Sequence, residues 1–389
     1  MKKSIYSSKT EYTAIVTDVH YRMSLAVIRD LAEAGVTVIG VEKNHLEPPL
    51  GFYSKYVSES VLMDESSYLD ELYELCRVNY GRSGKKPVIL SVGTATMDLF
   101  SDDVRRRFSE VAGFCLPSPE QLLLLNDKRR LAQLAVSCGV PVPSEYDAPY
   151  GNAVYPCIVK PLCGEKFGMK AGDRYRIVYD GAQLADAVLY YKEHCGGETP
   201  VVQQFVSGPG FGCEVFAENG RVLTSLCHER LREYPAAGGP SSCCRAVCVP
   251  EISAYTEQIC KELGLSGLAM FEYKRDKDGK YFLLECNPRV WGSYPLTRAA
   301  KSNMTLCWFK TAFEAANPND VFEIRGNDYR NVRMHFPLSD IFAGAEYIKR
   351  GQIGKGLAGI FSWMDPFIKN GLLELKDMKP AMVYLKNRL

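Results

Sequence analysis

The residues best suited to chemistry lie between positions 268 and 293, in two apolar-patterned runs joined by Asp278-Gly279. An Asp-Gly pair between such runs predicts a β-hairpin with a two-residue turn. Counting back from that turn places Glu272 directly opposite Glu285, and Asn287 points to the same face because side chains alternate along a strand. Facing carboxylates repel each other unless a cation lies between them, and oxygen donors of this kind suit magnesium. The pattern therefore predicts a metal site, for which the alternative is an exposed hairpin with solvated carboxylates.

Magnesium usually arrives with phosphate groups, and the chain has candidate phosphate ligands upstream of the hairpin. Tyr155–Pro161 has the pattern of a short buried strand with one charge, Lys160, near its end. The next loop contains Gly164 and Gly168, and glycines let backbone amides approach phosphate oxygens closely. The ordinary alternative is a solvated lysine at a strand end. Beyond the hairpin, Arg289 adds a fixed cation beside the predicted metal site.

Taken in order, these segments resemble the ATP-grasp superfamily, and most closely its carboxylate–amine ligase-like members with a preceding domain. The resemblance covers residues 115–300 and rests on NDKRR around Lys128, IVKP around Lys160, the glycine loop, QQFVSG, MFEYK and LLECNPR. Its most specific part is the segment ECNPRVWGS, which ends at Ser293. Two departures concern nucleotide binding. Family hinges commonly carry a glutamate where Gln203 stands, and family phosphate loops are often richer in glycine and serine than residues 163–168.

The resemblance implies roles for individual residues. It implies that ATP is bound by Lys128, Lys160, Gly164, Gly168, Gln203, Gln204, Val206 and, at the ribose hydroxyls, Glu214. In this arrangement the loop 163–168 closes over the phosphates, and the hinge 203–206 holds adenine largely through backbone groups. Glu272, Glu285 and Asn287 would bind Mg²⁺, with Mn²⁺ as an acceptable substitute. Lys160 and Arg289 are the implied catalytic residues, and Arg289 would steady charge on the reacting carboxyl group.

The implied reaction is an ATP-dependent ligation of a carboxylate to an amine. The carboxylate attacks the terminal phosphorus, an acyl phosphate and ADP form, and the amine then displaces phosphate. A carboxylase or carbamoyl phosphate synthase-like enzyme that activates bicarbonate is an alternative, although the chain shows no biotin-carrier segment or ammonia-producing domain. A non-catalytic ATP-binding regulator is a second alternative. A nicotinamide dehydrogenase is disfavoured because no glycine lies between Val16 and Arg22, where a dinucleotide fingerprint would stand.

A predicted strand over Arg221–Arg232 offers candidate substrate ligands. Period-two counting continues one face of this strand into His228, Arg230 and Arg232. Three potential cations in a row suit an anionic ligand, although a solvated strand end would show the same pattern. The substrate residues expected from this stripe and from the resemblance are His228, Arg230, Arg232, Arg289 and Ser293. Amino acids or small peptides are the expected substrates.

The N-terminal part has the pattern of a Rossmann-like unit. Predicted strands at 13–17, 36–41 and 87–92, with a helix at 22–34, indicate a parallel sheet with crossover helices. Asp18, His20 and Arg22 follow the first strand, where open sheets bind ligands, so a substrate contact is one interpretation. A helix-capping role for Asp18 is the other.

The predicted fold class is α/β and α+β, an ATP-grasp fold with an N-terminal Rossmann-like parallel-sheet domain. We expect a Rossmann-like domain over residues 1–116, an ATP-grasp nucleotide-binding domain over 117–300, and a helical or mixed extension over 301–389 that packs on the core. Two or three domains suit a chain of 389 residues.

The bulk composition argues against several classes of partner. A net charge of +1 gives no reason to expect nucleic acid or a membrane surface. No signal peptide or long apolar run is apparent, so we expect a cytoplasmic protein. The 14 cysteines then act mostly as small buried hydrophobes, and the adjacent pair Cys243-Cys244 has poor geometry for zinc. A homodimer is compatible with the sequence, but no residue demonstrates one.

Overall fold

A computed structural model describes residues 12–44, 49–162, 167–169, 173, 175–236, 238–324 and 329–387. The strands of these residues form one four-stranded, one seven-stranded and one three-stranded sheet, with helices packed on them. The predicted mixture of α/β and α+β structure is therefore confirmed. The domain boundaries at 116 and 300 stay a prediction.

The N-terminal region is built on the parallel sheet that the sequence predicts. Its elements are β1 (Thr13–Thr17), α1 (Ser24–Glu33), β2 (Thr37–Lys43), β3 (Val57–Met63), α2 (Tyr68–Ser83), β4 (Val88–Ser91), α3 (Thr94–Met97) and α4 (Asp102–Ser109), with a 3₁₀ helix at Leu50–Tyr53. The strand order is β3-β2-β1-β4, and every pairing is parallel. Helix α1 ends before Gly35, whose φ of +85° favours glycine. The alternation of strands and helices thus gives the expected Rossmann-like unit.

Two short helices lead into the site and are fixed by their caps. They are α5 (Pro119–Asn126) and α6 (Lys128–Ser137). Ser118 and Gln121 form a reciprocal capping box at the start of α5. The Asp127 side chain accepts hydrogen bonds from the backbone N–H groups of residues 129 and 130 and so caps α6. This cap places Lys128 at the first position of the helix.

The small sheet carries the first half of the site. Its elements are β5 (Cys157–Lys160), β6 (Arg176–Val178), α7 (Gly181–His194) and β7 (Val201–Gln204). The strands pair antiparallel in the order β6-β5-β7, and α7 buries an apolar cluster against them. Lys160 at the end of β5 therefore lies beside Val201 at the start of β7.

The seven-stranded sheet carries the second half of the site. Its central elements are β8 (Gly210–Glu218), β9 (Arg221–Glu233), β10 (Ser241–Val247), α8 (Pro250–Leu263), β11 (Gly267–Arg275) and β12 (Tyr281–Asn287). Asn219-Gly220 joins β8 to β9 with two residues at positive φ, the geometry that this dipeptide favours in tight hairpins. Apolar side chains from α5, α6 and α8 cover one face of the sheet.

The C-terminal region completes that sheet and packs helices around it. Its elements are α9 (Pro295–Ala299), α10 (Met304–Ala316), β13 (Arg333–His335), α11 (Pro337–Lys349), α12 (Ile353–Ile360), β14 (Ile368–Asn370) and α13 (Lys379–Lys386), with a 3₁₀ helix at Ser362–Met364. The full strand order is β12-β11-β8-β9-β10-β13-β14. An apolar cluster joins α10 to the N-terminal sheet. Within the described ranges, no helix combines the length and apolar character needed to cross a bilayer.

Candidate active site

A cavity of about 430 Å³ lies between the three-stranded sheet and the seven-stranded sheet. Eleven of the residues singled out from the sequence line it: Lys128, Lys160, Gln203, Gln204, Val206, Arg230, Glu272, Glu285, Asn287, Arg289 and Ser293. These residues come from segments far apart in the chain. The two sheets therefore bring the predicted cations, carboxylates and hinge to one place.

The hairpin that carries the carboxylates differs from its sequence-based prediction at the turn. Residues 276–280 join β11 to β12, so the predicted two-residue turn is wrong. The Asp276 side chain accepts 2.9 Å hydrogen bonds from the backbone N–H groups of residues 278 and 280 and stabilises this wider turn. The wider turn shifts the register by one residue, and a β-bulge at Leu284 shifts it back. Glu272 therefore still pairs with Glu285.

Glu272 is the centre of the polar cluster. Its Oε2 lies 2.6 Å from Nη2 of Arg230, and its Oε1 accepts a 3.1 Å hydrogen bond from Nδ2 of Asn287. Burial raises the pKa of the Glu272 carboxyl and the Glu285 charge adds to the rise, while Arg230 opposes it. A second cation near both carboxylates would relieve their repulsion.

The donor set of this cluster fits magnesium held jointly with phosphate groups. Across the described part of the chain, no three His, Cys, Asp or Glu side chains form a metal-binding group of their own. Magnesium, however, is commonly bound by one or two carboxylates together with substrate phosphates. Glu272 and Glu285, with the amide of Asn287, match that pattern.

Two lysines lie beside the carboxylates. Lys128 Nζ is 3.8 Å from Oε2 of Glu285 and donates to the carbonyl oxygen of Leu162. Lys160 is 8% exposed at the end of β5. Burial lowers the pKa of Lys160 to about 8, and the Lys128 charge adds to this effect. A bound polyphosphate interacts more favourably with two adjacent, poorly solvated cations than with fully solvated ones.

The predicted hinge lines the cavity beside an apolar wall that the sequence analysis missed. Gln203 pairs with Ile158 across β5 and β7, and the N–H of Gln204 donates to the carbonyl of Ser144. The missed wall residues include Ile158, Tyr175, Ile177, Met270 and Leu284. Period-two counting could have found two of them, because Ile158 lies two residues before Lys160 and Met270 two residues before Glu272. An apolar slot beside a polar hinge suits a flat heterocycle.

Not every predicted nucleotide ligand is placed at the cavity. Gly164, with most of the loop 163–168, lies outside the described residues. Gly168 is described, has φ of +64° and does not line the cavity. Glu214 is fully buried beneath the cavity, where it accepts hydrogen bonds from Nε1 of Trp291 and from the hydroxyl of Ser293. This position corrects the expected ribose contact, because Glu214 instead supports the segment that forms the cavity wall.

The stripe of cations on β9 is divided among three environments. Arg230 reaches the cavity. His228 is fully buried, with Nδ1 3.1 Å from Oε1 of Glu214. Arg232 donates to both carboxylate oxygens of the buried Asp340, at 2.7 and 2.6 Å. The expected substrate contacts of His228 and Arg232 are therefore corrected, because each is committed to a buried carboxylate.

The first strand of the N-terminal sheet ends near the site. Asp18 has φ of +57° and accepts hydrogen bonds from the N–H of Gly93 and the hydroxyl of Thr96, so it ties β1 to the start of α3 and does not cap α1. His20 contacts the carboxylate of Glu42. The Arg22 guanidinium lies 3.7 Å from the centre of the Phe336 ring. A Cβ on Gly292, a cavity residue, would lie 3.9 Å from Nη2 of the same arginine.

A larger cleft of about 920 Å³ lies between α1 and the C-terminal region, and a cluster of ion pairs occupies part of its lining. Arg298 pairs there with Asp30, Glu33 and Glu374 at 2.7 to 2.9 Å. These pairs link α9 to α1 and to the segment after β14. We therefore assign the candidate active site to the smaller cavity, where cations and carboxylates surround open space.

One family model and one curated protein match parts of this chain. Residues 197–333 match the family described as ATP-grasp in the biosynthetic pathway with Ter operon. Over 200 residues, 47% of this chain, it is 24% identical to the arginine-specific large chain of carbamoyl phosphate synthase from Oryza sativa subsp. japonica. The match spans 17% of the length of that curated relative.

Solved structures show the same fold. A biotin carboxylase–β,γ-ATP complex from Campylobacter jejuni superposes with a TM-score of 0.62 at 17% identity, covering 82% of this chain and 74% of that one. An L-amino acid ligase from Bacillus licheniformis superposes with a TM-score of 0.52 at 16% identity, covering 79% of this chain and 75% of that one. Residues 197–333 thus match an ATP-grasp family, and the fold is of the ATP-grasp, carboxylate–amine ligase-like kind, behind a Rossmann-like parallel sheet.

Proposed function

We propose that this protein is an ATP-dependent ligase that joins a small carboxylate to an amine through an acyl phosphate, with release of ADP and phosphate. One observation carries the proposal. The cavity combines two poorly solvated lysines, a facing pair of carboxylates and an additional arginine within one enclosure. Binding of a triphosphate needs cations along its length. Transfer of its terminal phosphoryl group to a carboxylate needs a further cation beside the accepting carboxylate.

Each part of the cavity has a task in this reaction. Lys128 and Lys160 neutralise the phosphates, while residues 203–206 and the apolar wall hold the base. Magnesium, when bound by Glu272, Glu285 and Asn287, supplies charge neutralisation at the phosphates.

Arg289 orients the substrate carboxylate against the terminal phosphorus. An oxygen of that carboxylate forms the new P–O bond, and the bond to ADP breaks with its electron pair leaving on ADP. The amine nitrogen then attacks the acyl carbon, phosphate departs with the C–O electron pair, and the amine proton passes to solvent. The chain supplies positioning and electrostatic stabilisation and forms no covalent intermediate.

A bicarbonate-activating reaction is the second candidate, because the fold is shared with a biotin carboxylase and the sequence match is to a carbamoyl phosphate synthase. The two candidates share the ATP half-reaction and differ in the acid. They are separable by the acid that stimulates release of ADP.

The test measures ADP and phosphate release with magnesium and ATP, using pooled amino acids and small carboxylic acids, with and without bicarbonate. We expect release that requires both an acid and an amine and that falls by at least about a thousandfold in Glu285→Ala. Glu257→Ala, which removes an exposed carboxylate on α8, is the matched control and should keep full activity. Normal turnover in Glu285→Ala would refute the metal-site assignment, and stimulation by bicarbonate alone would favour the second candidate.

A further inference from the structure

Large apolar side chains are exposed in one stretch of the C-terminal region. They are Ile353, Leu357, Phe361, Trp363, Met364 and Phe367, which we call the apolar face. Their exposed fractions run from 45% for Leu357 to 78% for Phe367. Single exposed apolar side chains are ordinary, whereas a concentrated set marks a binding surface.

The geometry of α12 makes these side chains neighbours. Ile353, Leu357 and Phe361 follow one another at four-residue spacing, so they lie along one side of the helix. The opposite side packs on α11 through glycines. A Cβ on Gly356 would lie 2.4 Å from Cγ1 of Ile348, and one on Gly359 would lie 2.8 Å from the carbonyl oxygen of Asp340. The helix therefore buries Gly356 and Gly359 and exposes its large apolar residues, the reverse of the usual arrangement.

The segment after α12 extends the apolar face. Ser362 is buried, where its hydroxyl donates to the carbonyl of Gly359 and accepts a 2.9 Å hydrogen bond from Nδ1 of His335. This anchor holds the 3₁₀ helix while its neighbours Trp363 and Met364 remain 62% exposed. The outward direction of these side chains is thus fixed by a buried contact.

Cations flank, along the chain, the segment that carries the apolar face, and they lack matching carboxylates. Lys349 ends α11 and Arg350 follows it, while Lys369 lies on the edge strand β14, two residues after Phe367, and also lines the larger cleft. Among the residues that the structure describes, no carboxylate pairs with these three cations. The nearby carboxylates are engaged elsewhere, because Asp365 pairs with Arg333 at 2.9 Å and Glu346 accepts a 2.7 Å hydrogen bond from the N–H of residue 236.

We infer that the apolar face docks on the surface of a membrane that contains anionic lipids. Exposed Trp and Phe side chains suit the boundary between headgroups and acyl chains, and unpaired lysines and arginines suit negative headgroups. A second copy of the chain fits less well, since it would bring the same unmatched cations to the interface and no carboxylates to pair with them. Surface docking needs no spanning helix, and it is independent of the proposed ligase reaction.

The test is co-sedimentation of the full chain with two kinds of vesicle, pure phosphatidylcholine and phosphatidylcholine with about one third phosphatidylglycerol. We expect binding to the anionic vesicles only, weakening as salt rises from about 0.1 M to about 0.5 M. Trp363→Ser/Phe367→Ser should weaken binding by at least about tenfold. Lys349→Gln/Lys369→Gln should weaken it by about fivefold for each lysine.

The matched control is Leu123→Ser/Val136→Ser, which removes apolar side chains that are 67% and 61% exposed elsewhere and should leave vesicle binding unchanged. Circular dichroism and sedimentation velocity without lipid accompany each variant, to show that it folds and to report its oligomeric state. No binding to either vesicle, or equal binding to both, would overturn the inference. The inference would also be overturned if the parent chain self-associated and only the Trp363/Phe367 variant lost that self-association. The apolar face would then be a contact surface for a second copy of the chain.

Discussion

Binding of ATP is expected to draw a proton onto Lys160. Burial, with help from Lys128, lowers the pKa of this side chain to about 8. The negative charge of a bound polyphosphate opposes the effects of burial and of the Lys128 charge, and it returns the pKa of Lys160 towards the ordinary value for lysine. Proton uptake per ATP should then be about 0.1 near pH 7, about 0.5 near pH 8 and about 0.9 near pH 9. The same linkage predicts that ATP affinity falls by about tenfold between pH 7 and pH 9.

Isothermal titration calorimetry with a non-hydrolysable ATP analogue measures this uptake. The binding enthalpy is compared in buffers of different ionisation enthalpy, and its slope gives the number of protons taken up. Lys160→Arg provides the sharpest control, because an arginine keeps the positive charge and stays protonated across this range. It should bind the analogue with little proton uptake and with affinity that no longer declines towards pH 9.

Lys160→Met should bind the analogue more weakly at every pH and also lose the proton uptake. An uptake that does not change between pH 7 and pH 9 in the parent chain would refute the reasoning. The same uptake persisting in Lys160→Arg would show that another group takes the proton. Either result would remove Lys160 from the proposed phosphate site.

Two further predictions concern residues that sequence reasoning assigned differently or passed over. Arg232→Met should reduce the free energy of unfolding by about 3–5 kcal/mol in urea titrations, since it leaves the buried carboxylate of Asp340 without its partner. Burial alone would raise the pKa of Asp340, but hydrogen bonds from Arg232 lower it to about 2. The ionised Asp340 carboxylate therefore stabilises the folded parent chain, and this stabilisation should be lost as pH falls from about 4 to about 2. Gly212→Ala should cost at least about 1–3 kcal/mol, because its Cβ would lie 2.2 Å from Cε1 of the buried His228 ring. Gly354 lies on the exposed side of α12, and no atom lies within 4 Å of a Cβ placed there. Gly354→Ala should therefore leave the free energy of unfolding equal or higher. A comparable loss of stability in both glycine variants would contradict the packing argument.

The facing carboxylates show how a correct position can follow from an incorrect turn. Asp278-Gly279 predicts a tight hairpin, but Asp276 caps a wider one. A bulge at Leu284 then restores the pairing of the glutamates. Nothing local in the sequence specifies that bulge. The period-two alternation on either side of it still predicts which side chains share a face of the strand. A two-residue turn of the kind that this dipeptide rule describes lies instead at Asn219-Gly220.

The stripe on β9 shows the opposite outcome. Period two places His228, Arg230 and Arg232 on one continued face, but β10 pairs with β9 irregularly near Arg230 and Arg232. Of the three side chains, only Arg230 lines the cavity. The partners of the other two, Glu214 and Asp340, come from a neighbouring strand and from α11. Local alternation cannot reveal such partners because it contains no information on which elements meet.

The sequence by itself determined the local features. Alternation, caps and glycine stops placed most strands and helices near the site, and the order of Lys128, Lys160, Glu272 and Glu285 indicated the superfamily. The tertiary structure decided which of these residues share a cavity and which are buried against one another. It also decided that β13 and β14 join the central sheet and that α12 turns its large side chains outward. Local patterns reflect the intrinsic geometry of helices and strands, whereas partners and solvent exposure depend on contacts between segments distant in the chain.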